Sequence, residues 1–550
     1  MRTTMFAAPL AVLVSISPTV IAGPPPQLRA LGSYESGLFN VGGAEIPTYD
    51  PFTRRAFVVN AGSATVDVLD LRHPSRPEKV ASLDIGADLA PLVGTVGAAN
   101  SVDTRFGILA VAVEADPKQD DGFIAFYSTL TLGLLTVVPA GALPDMVTFS
   151  DNGRYVLAAN EGEPDTDYIN DPEGTVTIID LLRFGQPGFV RKVDFSDFNV
   201  GNPPHGQLPA KVRIYGPNAT VAQDLEPEYI TTDGNTAWVT LPENNAIAVI
   251  DIKNATVKKI FALGFKNHAR PRNKLDASDD DGVINIANWP VFGMYQPDAI
   301  ADFAYEGKRY LITVNEGDAR DYEAFSEEDR VSDLLLDPTA FPNAAELQED
   351  VNLGRLTVTN ALGDTDQDDD FDRLFVPGAR SFSIWDALTG ERVFDSGAEL
   401  EQMLANLQPD EFNSNHEEND SFDNRSDNKG PEPEGVTLGR VEGKLYAFIG
   451  LERIGGILVI DLSDPNSPEF VDYFDNRQFR DDAGEAIATC DEFDPPESEE
   501  IDDCIKPNSA AGDLGPEGLE FVPAHRSPNG KPLLIVGNEV SGTTTVYEFR

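Results

Sequence analysis

The sequence has few of the residues on which most zinc and nucleophile chemistry depends. Among 550 residues there are two cysteines and five histidines, and the histidines share no ligand spacing. This scarcity argues against a zinc site and against a histidine-based nucleophile relay. The sequence also has no G-x-S-x-G elbow, H-E-x-x-H helix or phosphate-binding glycine loop. Any catalysis by this chain would therefore have to be assisted by a metal ion.

Positive charge is also scarce. The chain has 41 Lys and Arg residues against 92 Asp and Glu, which gives a formal net charge of −51 at pH 7. Because no basic patch interrupts this negative charge, nucleic acid and an anionic membrane surface are excluded as partners. The plainest reading of the charge is solvation in a salty exterior.

The N-terminus has the pattern of a secretory signal peptide. A basic start, a short apolar core and small residues before a cut at Ala22 predict that residues 1–22 are removed. We expect residues 23–550 to form one secreted or periplasmic domain without membrane insertion, since no later run is long enough to cross a bilayer. In that oxidising compartment Cys490 and Cys504 are predicted to form a disulfide.

One pattern of three apolar runs recurs along the chain. Each copy has a polar residue, usually an acid, at the head of the first run and another at the end of the second. Runs of about five apolar and β-branched residues between turn signals are typical of buried strands. Seven copies follow one another, and a fourth strand is visible after most of them, as at residues 78–83 and 469–473. This repetition predicts an all-β fold, a seven-bladed β-propeller.

The chain ends and the loops extend this prediction. Residues 27–34 have the pattern of a fourth strand with no preceding three, so we expect them to complete the last blade and close the ring. Short turns join the first strand to the second and the third to the fourth. The long insertions then share one face with the acids, and segment 401–430 is predicted to be a polar loop over the ring. These insertions are 185–226, 262–296, 317–380, 398–431 and 476–515.

The acids at the strand ends are the main candidate site. Because antiparallel strands bring both sets to one face, we expect their carboxylates to converge on a central funnel. Ca²⁺ takes six to eight oxygens and suits such a funnel, whereas uncompensated acids would raise one another's pKa. The alternative is that the acids bind backbone N–H groups of neighbouring blades and only hold the ring together. The two sets are Glu45, Asp145, Glu228, Asp298, Glu434 and Glu517 at the heads, and Glu114, Glu161, Glu243, Glu316, Glu452 and Glu539 at the second ends.

Two aspartate-rich loops are further calcium candidates. Residues 364–372 place carboxylates at alternate positions, with Asp364, Asp366 and Asp368 as the predicted ligands. The loop lacks the EF-hand glycine at position six and the glutamate at position twelve, and residues 276–282 have their glycine one place late. For both loops a local Ca²⁺ site and a solvated acidic loop are open alternatives.

Four arginines lie beside the acids, namely Arg320, Arg380, Arg425 and Arg453, and all of them except Arg425 are candidates for a catalytic role. A guanidinium among carboxylates either neutralises them in salt bridges or binds a phosphate or carboxylate of a ligand. Both interpretations are open from the sequence.

Several motifs together resemble the choice-of-anchor I domain of exported bacterial proteins. They are NEGDARDY (315–322), GARSFSIWD (378–386), GPEPEGV (430–436), GLER (450–453) and NEVSGTTT (538–545). The resemblance covers nearly all of the chain after residue 22 and implies a YVTN-type seven-bladed propeller. Relatives in this group carry labels such as atypical alkaline phosphatase or mesenchyme-specific cell-surface glycoprotein. The resemblance fixes architecture better than activity, because propellers have many functions.

Two functional hypotheses follow. In the first, the protein is a metal-dependent phosphoester hydrolase in which Ca²⁺ activates water and the three arginines bind the phosphate of a small ester. The charge of −51 opposes this hypothesis until metal fills the funnel. In the second, it is a non-catalytic Ca²⁺-stabilised propeller that binds an extracellular ligand or adheres to a surface. A monomer is expected in both.

Overall fold

The computed structural model describes residues 27–201, 208–479 and 509–549. The predicted signal peptide and the predicted disulfide between Cys490 and Cys504 lie outside the described residues. Within them, no helix is long and apolar enough to cross a membrane.

The protein is an all-β protein built from four-stranded antiparallel sheets, of which the described residues contain seven. We number the sheets in the order of their first strands. Sheets 1 to 3 are β2 (Pro47–Asp50), β3 (Arg55–Asn60), β4 (Thr65–Asp70) and β5 (Glu78–Asp84); β6 (Val96–Arg105), β7 (Ile108–Ala115), β8 (Asp121–Ser128) and β9 (Leu134–Ala142); and β10 (Pro144–Phe149), β11 (Tyr155–Asn160), β12 (Thr175–Asp180) and β13 (Val190–Asp194).

The remaining sheets repeat the same order. Sheets 4 and 5 are β14 (Ile230–Thr232), β15 (Thr236–Leu241), β16 (Ala246–Asp251) and β17 (Thr256–Ala262); and β20 (Ile300–Tyr305), β21 (Lys308–Asn315), β27 (Ser381–Asp386) and β28 (Arg392–Asp395). Sheets 6 and 7 are β29 (Pro433–Val441), β30 (Lys444–Leu451), β31 (Ile457–Asp461) and β32 (Glu469–Phe474); and β33 (Pro516–Val522), β34 (Leu533–Asn538), β35 (Thr543–Phe549) and β1 (Leu28–Glu35).

The sheets pack face to face, as in a β-propeller. The second and third strands are buried on both sides, as in β11 and β12, where every residue is buried. Fourth strands such as β5 are mostly exposed, so each sheet passes from the interior to the surface. A hydrophobic core lies between every pair of consecutive sheets, and another lies between sheet 7 and sheet 1. This packing buries the apolar residues of both sheet faces.

The N-terminal strand lies in the same sheet as the last three strands of the chain. Strand β1 pairs antiparallel with β35, with Leu28 opposite Phe549 and Glu35 opposite Thr543. The last sheet therefore contains segments from both ends of the described chain.

The insertions carry additional short elements. A three-stranded sheet joins two insertions, with β19 (Val291–Met294) parallel to β26 (Leu374–Val376). A separate hydrophobic core in the insertions includes Leu275, Val331 and Leu374. These elements are β18 (Phe265–Asn267), β19 (Val291–Met294), β22 (Asp321–Tyr322), β23 (Phe325–Ser326), β24 (Glu328–Arg330), β25 (Thr357–Thr359), β26 (Leu374–Val376), α1 (Ile85–Val93), α2 (Val221–Asp224), α3 (Ala344–Leu347) and α4 (Glu399–Leu407).

Segment 401–430 differs from the predicted polar loop. It begins inside helix α4, and Leu400 and Leu404 of this helix pack into the core between sheets 5 and 6. Phe412 is also fully buried in that core. Leu404 and Phe412, together with Leu400 directly before the segment, therefore anchor a segment whose overall composition is polar.

Candidate metal centre

The acids at the strand heads are positioned by irregular strand pairing. In sheets 3, 6 and 7 the register shifts directly after the first residue of the first strand, around Asp145, Glu434 and Glu517. Such a bulge turns a side chain away from the regular alternation of the strand. Glycine follows the acid in sheet 6, where a Cβ at Gly435 would lie 2.0 Å from the carbonyl oxygen of Glu517. The absence of a side chain there lets the backbone of the next sheet approach.

Five of the six head acids line one cavity of about 130 Å³. The five come from five different sheets or the loops before them, and Asn100 of sheet 2 lines the same cavity. No lysine or arginine is among the described residues that line it. The Oε2 atoms of Glu434 and Glu517 are buried and have no hydrogen-bond partner. The lining acids are Asp145, Glu228, Asp298, Glu434 and Glu517.

Burial raises the pKa of these carboxyl groups. Burial and the neighbouring Asp298 raise the pKa of Asp145 to about 7, and burial raises that of Asp298 to about 6. For Glu228, Glu434 and Glu517 the pKa lies well above the ordinary value, because burial is reinforced by neighbouring acids. In the absence of a cation, protons are needed to offset part of this charge.

The second set of acids extends the site along the same face. Carboxylate oxygens of Asp298, Glu316 and Glu434 lie within 4.8 Å of one another, so an acid from the second set joins two from the first. Burial raises the pKa of Glu161 and Glu243 well above the ordinary value, and Glu243 Oε2 is buried without a partner. These oxygens are candidates for cation ligands.

Seven of the twelve acids lie outside the cavity lining, among them Glu45, Glu114 and Glu539. The Oε1 of Glu114 accepts the N–H of Ala98 at 3.0 Å, so Glu114 binds a backbone group of its own sheet and not one of a neighbouring sheet. Burial and the neighbouring Glu539 raise the pKa of Glu45 to about 8. Glu539 itself, whose pKa burial and Glu452 raise to about 7, lies 3.9 Å from the ring of His416.

A cluster of cations compensates a neighbouring acid that the sequence patterns did not single out. Glu432 is fully buried and forms ion pairs with Arg425 at 2.7 Å, Lys429 at 3.1 Å and Arg453 at 3.1 Å. Burial alone would raise the pKa of Glu432, but the three cations outweigh it and hold the pKa well below the usual range. Lys429 also contacts Glu316 at 2.5 Å. The group of Glu316, Glu432 and Glu452 is therefore neutralised by side chains of the protein.

The candidate arginines are all engaged within the protein. Arg320 is buried and pairs with Asp224 and, at 2.9 Å, with Glu226. Arg453 pairs with Glu432 and Glu452 and is the more exposed of the two, at 21% of its side chain. Both therefore take part in the salt bridges that the sequence offered as the alternative to ligand binding.

Arg380 lies apart from the central cavity. It is buried and donates to Glu401 at 2.7 Å and to the carbonyl oxygens of Asp276, Ser426 and Asn428. Its backbone has a φ of 50°, the left-handed region that non-glycine residues rarely adopt. Its guanidinium thus joins insertions of the chain to one another.

Comparison with known proteins identifies the family. The choice-of-anchor I domain matches residues 45–465, which is more than half of the chain. The match covers sheets 1 to 5 and the first three strands of sheet 6. The chain belongs to the choice-of-anchor I domain family. The resemblance read from the motifs is thereby confirmed.

Two curated relatives match parts of this choice-of-anchor I chain. Gigasin-3a of Magallana gigas is 29% identical over 210 residues, which cover 37% of this chain and 67% of the relative. A mesenchyme-specific cell surface glycoprotein of Strongylocentrotus purpuratus is 29% identical over 328 residues, which cover 53% of this chain and 41% of the relative. The chain thus spans less than half the length of the sea urchin protein.

The choice-of-anchor I fold also has matches among solved structures. The β-propeller domain of Myceliophteria thermophila Cps50 (Swd1) covers 95% of this chain and 99% of its own, at 9% identity and a TM-score of 0.42.

The aspartate loop at 364–372 is arranged differently from its predicted ligand set. The structure brings Asp364 and Asp366 together with Asp372, whose carboxylate oxygens lie within 4.8 Å of theirs, and Asp368 is outside this group. Asp364 accepts the N–H groups of Gln367 and Asp369, and both of these residues have positive φ. This tight turn brings Asp372 to Asp364 and Asp366, while Asp368 keeps a hydrogen bond to Asp366.

The sequence patterns also missed His416. Its Nδ1 lies 3.1 Å from Glu452, and its Nε2 accepts from Arg453 at 2.6 Å. Burial lowers the pKa of His416, but Glu417 and Glu452 outweigh burial and raise it. The residue lies in the insertion after β28, so only the tertiary fold brings it to Glu452. A lone histidine in a polar stretch gave no signal of this contact.

Proposed function

We propose that the protein is an exported, calcium-binding β-propeller with seven blades. The seven sheets are the blades, β1 completes the last blade, and the cores between consecutive sheets, including sheets 7 and 1, support a closed ring. Ca²⁺ binds among the head acids in the central cavity. The insertions around it form the surface for an extracellular ligand.

The observation that carries this proposal is the composition of the central cavity. Five carboxylates from different sheets line it, no lysine or arginine does so in the described part of the chain, and two buried oxygens lack partners. Buried charges are ordinarily paired or bound to a metal. Oxygen-only ligands favour a hard cation, and Ca²⁺ accepts irregular geometry and high coordination numbers. Asp298 and Glu434 are the first candidates for direct ligands, whereas Glu316, whose carboxylate oxygen lies within 4.8 Å of theirs, is already paired with Lys429.

A binding role suits the site better than phosphoester hydrolysis. The hydrolase hypothesis needs arginines that are free to bind phosphate, and Arg320, Arg380 and Arg453 are each engaged by acids of the protein. The name of the sea urchin relative supports a place at or outside the cell surface. We therefore propose a secreted, periplasmic or surface-exposed binding protein, with a monomeric propeller as the unit.

The test is calcium binding to the full chain after removal of metals with a chelator. Titration calorimetry is expected to show Ca²⁺ binding, and thermal unfolding is expected to show a rise in Tm. The bound ion should stabilise the folded state by about 2.7 kcal/mol at a free Ca²⁺ concentration of 100 times the Kd. The double variant Glu434→Gln with Glu517→Gln is expected to bind less Ca²⁺ per chain and to show a smaller rise in Tm, because it removes two cavity carboxylates. Glu391→Gln with Glu442→Gln is a matched control on exposed residues and keeps the full response.

Two results would overturn the proposal. Equal Ca²⁺ binding by the cavity variant and the control would show that the metal binds outside the cavity. Ca²⁺-dependent turnover of a small phosphoester by the parent protein, abolished in the cavity variant, would replace the binding role by hydrolysis.

A further inference from the structure

A second group of buried oxygens lies away from the central cavity, between two insertions. Asp276 belongs to the insertion after β17, and Asn413 and Asp423 belong to the insertion after β28. Asp276 and Asn413 are 0% exposed, and Asp423 is 1% exposed. None of the three belongs to either set of strand-end acids.

The three side chains are neighbours through shared contacts. Asn413 Nδ2 donates to Ser426 Oγ at 2.8 Å, and Ser426 in turn donates to Asp423 Oδ1 at 2.5 Å. On the other side, Asn413 Nδ2 lies 3.3 Å from Glu401 Oε1, while Glu401 Oε2 accepts the backbone N–H of Asp276 at 3.3 Å. Ser426 and Glu401 thus connect the three residues.

One oxygen on each of the three residues has no donor. Asp276 Oδ2 accepts the N–H of Asn285, but its Oδ1 is buried and has no partner. Asp423 Oδ2 and Asn413 Oδ1 are likewise buried without a partner. Buried polar atoms in native proteins are nearly always paired, so three unpaired acceptors among linked residues require an explanation.

The nearest cation of the protein does not supply the missing partner. Arg380 donates to Glu401 and to the backbone carbonyl of Asp276, not to the three unpaired oxygens. In the loop that follows Asp276, Asp279 pairs with Arg355 at 2.8 Å. Asp279 is therefore engaged by an arginine, although Asp279 and Asp281 lie near enough to Asp423 for their charges to add to burial in raising its pKa.

The geometry points to a Ca²⁺ site formed by Asp276, Asn413 and Asp423, which ties the two insertions together. Two carboxylates and one amide oxygen make an all-oxygen set, which favours a hard cation. Deep burial favours Ca²⁺ over Mg²⁺, because Mg²⁺ retains several waters. The competing explanation is a bound proton, since burial and Glu401 raise the pKa of Asp276 to about 8.

The experiment counts Ca²⁺ on the full chain at pH 8, in the background of the cavity variant Glu434→Gln with Glu517→Gln. Adding Asp276→Asn with Asp423→Asn is expected to remove one Ca²⁺ per chain and the associated rise in Tm. Glu391→Gln with Glu442→Gln is again the matched control, because both residues are exposed. An unchanged Ca²⁺ count in the double Asn variant overturns the site.

Hydrogen exchange on the unsubstituted protein gives a second readout that requires no variant to fold. Peptides that cover residues 275–285 and 412–426 are expected to gain protection together when Ca²⁺ replaces the chelator. Unchanged exchange in either peptide overturns the site, because a shared ion must order both insertions. Failure of the central cavity to bind Ca²⁺ would leave both readouts intact, so the two proposals fail separately.

Discussion

Glu432 and Glu434 are two residues apart in one motif, yet they are in opposite electrostatic environments. Glu432 has three cations around it and a pKa held well below the usual range. Glu434 lines the central cavity, and burial with neighbouring acids holds its pKa well above the ordinary value. Both residues are glutamates, and the more buried of the two, Glu432, has the lower pKa, so the difference comes from where the cations lie. Compensated acids hold the structure together, whereas uncompensated acids are available to a ligand.

The same contrast appears on a larger scale. Near sheets 4 and 5, Arg320 pairs with Asp224 and Glu226, and Arg213 pairs with Glu327. That region is a closed network of opposite charges. The central cavity has carboxylates and no lining cation among the described residues. The four predictions below alter one side of this contrast at a time.

The largest effect is expected from Arg320→Met, which removes a cation from the compensated network. Asp224 and Glu226 would remain buried without their partner, at a cost of about 3–5 kcal/mol in the free energy of unfolding. Denaturant titration measures this cost. Adding Asp224→Asn and Glu226→Gln should recover part of it, and no recovery would mean that lost packing on Tyr215 dominates.

Glu432→Gln and Glu434→Gln form a matched pair on one motif. Glu432→Gln removes the charged acceptor of three cations and is expected to lower the free energy of unfolding by about 1.5–3 kcal/mol. Glu434→Gln removes an uncompensated charge, so in chelator no such loss is expected. If denaturant titrations showed equal losses in the free energy of unfolding for both variants, the difference between the compensated Glu432 and the uncompensated Glu434 would be refuted.

The pH dependence of stability should have opposite signs at Glu327 and Glu520. For Glu327, burial raises the pKa, but Arg213 and hydrogen bonds outweigh it and lower the folded value below 4.5. Its contribution is present above pH 4.5 and is lost as the pH falls. Burial and Asp103 raise the pKa of Glu520 from 4.5 to about 8. Its contribution is present at low pH and is lost as the pH rises towards 8.

Unfolding free energies at pH 4, 6 and 9 in chelator would show this difference. The loss caused by Glu327→Gln should shrink towards pH 4. Glu520→Gln should become more stable relative to the parent as the pH rises to 9. Parallel pH profiles for the two variants would refute the assignment of their environments.

The smallest effect is expected at an exposed pair. Lys444 bonds Asp461 at 2.9 Å, but 54% of the lysine side chain is exposed. Lys444→Met should change the free energy of unfolding by only about 0.2–1 kcal/mol, because solvent screens the pair. A loss as large as that of Arg320→Met would show that burial does not govern these interactions.

Local sequence patterns were enough to predict much of the fold but only part of the candidate site. The apolar runs predicted strands such as β5 and β32 to within one residue, because strand length and alternation are local properties. The acids could be located at strand ends by the same repeats. Which acids are compensated could not be predicted, since Lys429 and Arg425 reach Glu432 from an insertion. Helix α4 was missed because two buried leucines anchor an otherwise polar segment.

The pairing of β1 with β35 affects how the protein would respond to mechanical force. Leu28 and Phe549 are opposite each other at the same end of the antiparallel ladder. A pulling force applied through these two residues would open the ladder one pair at a time, like a zipper, instead of shearing all pairs together. A tether attached at these positions would therefore release β1 at low tension. A load applied through the insertions would not act directly on the pairing of β1 with β35.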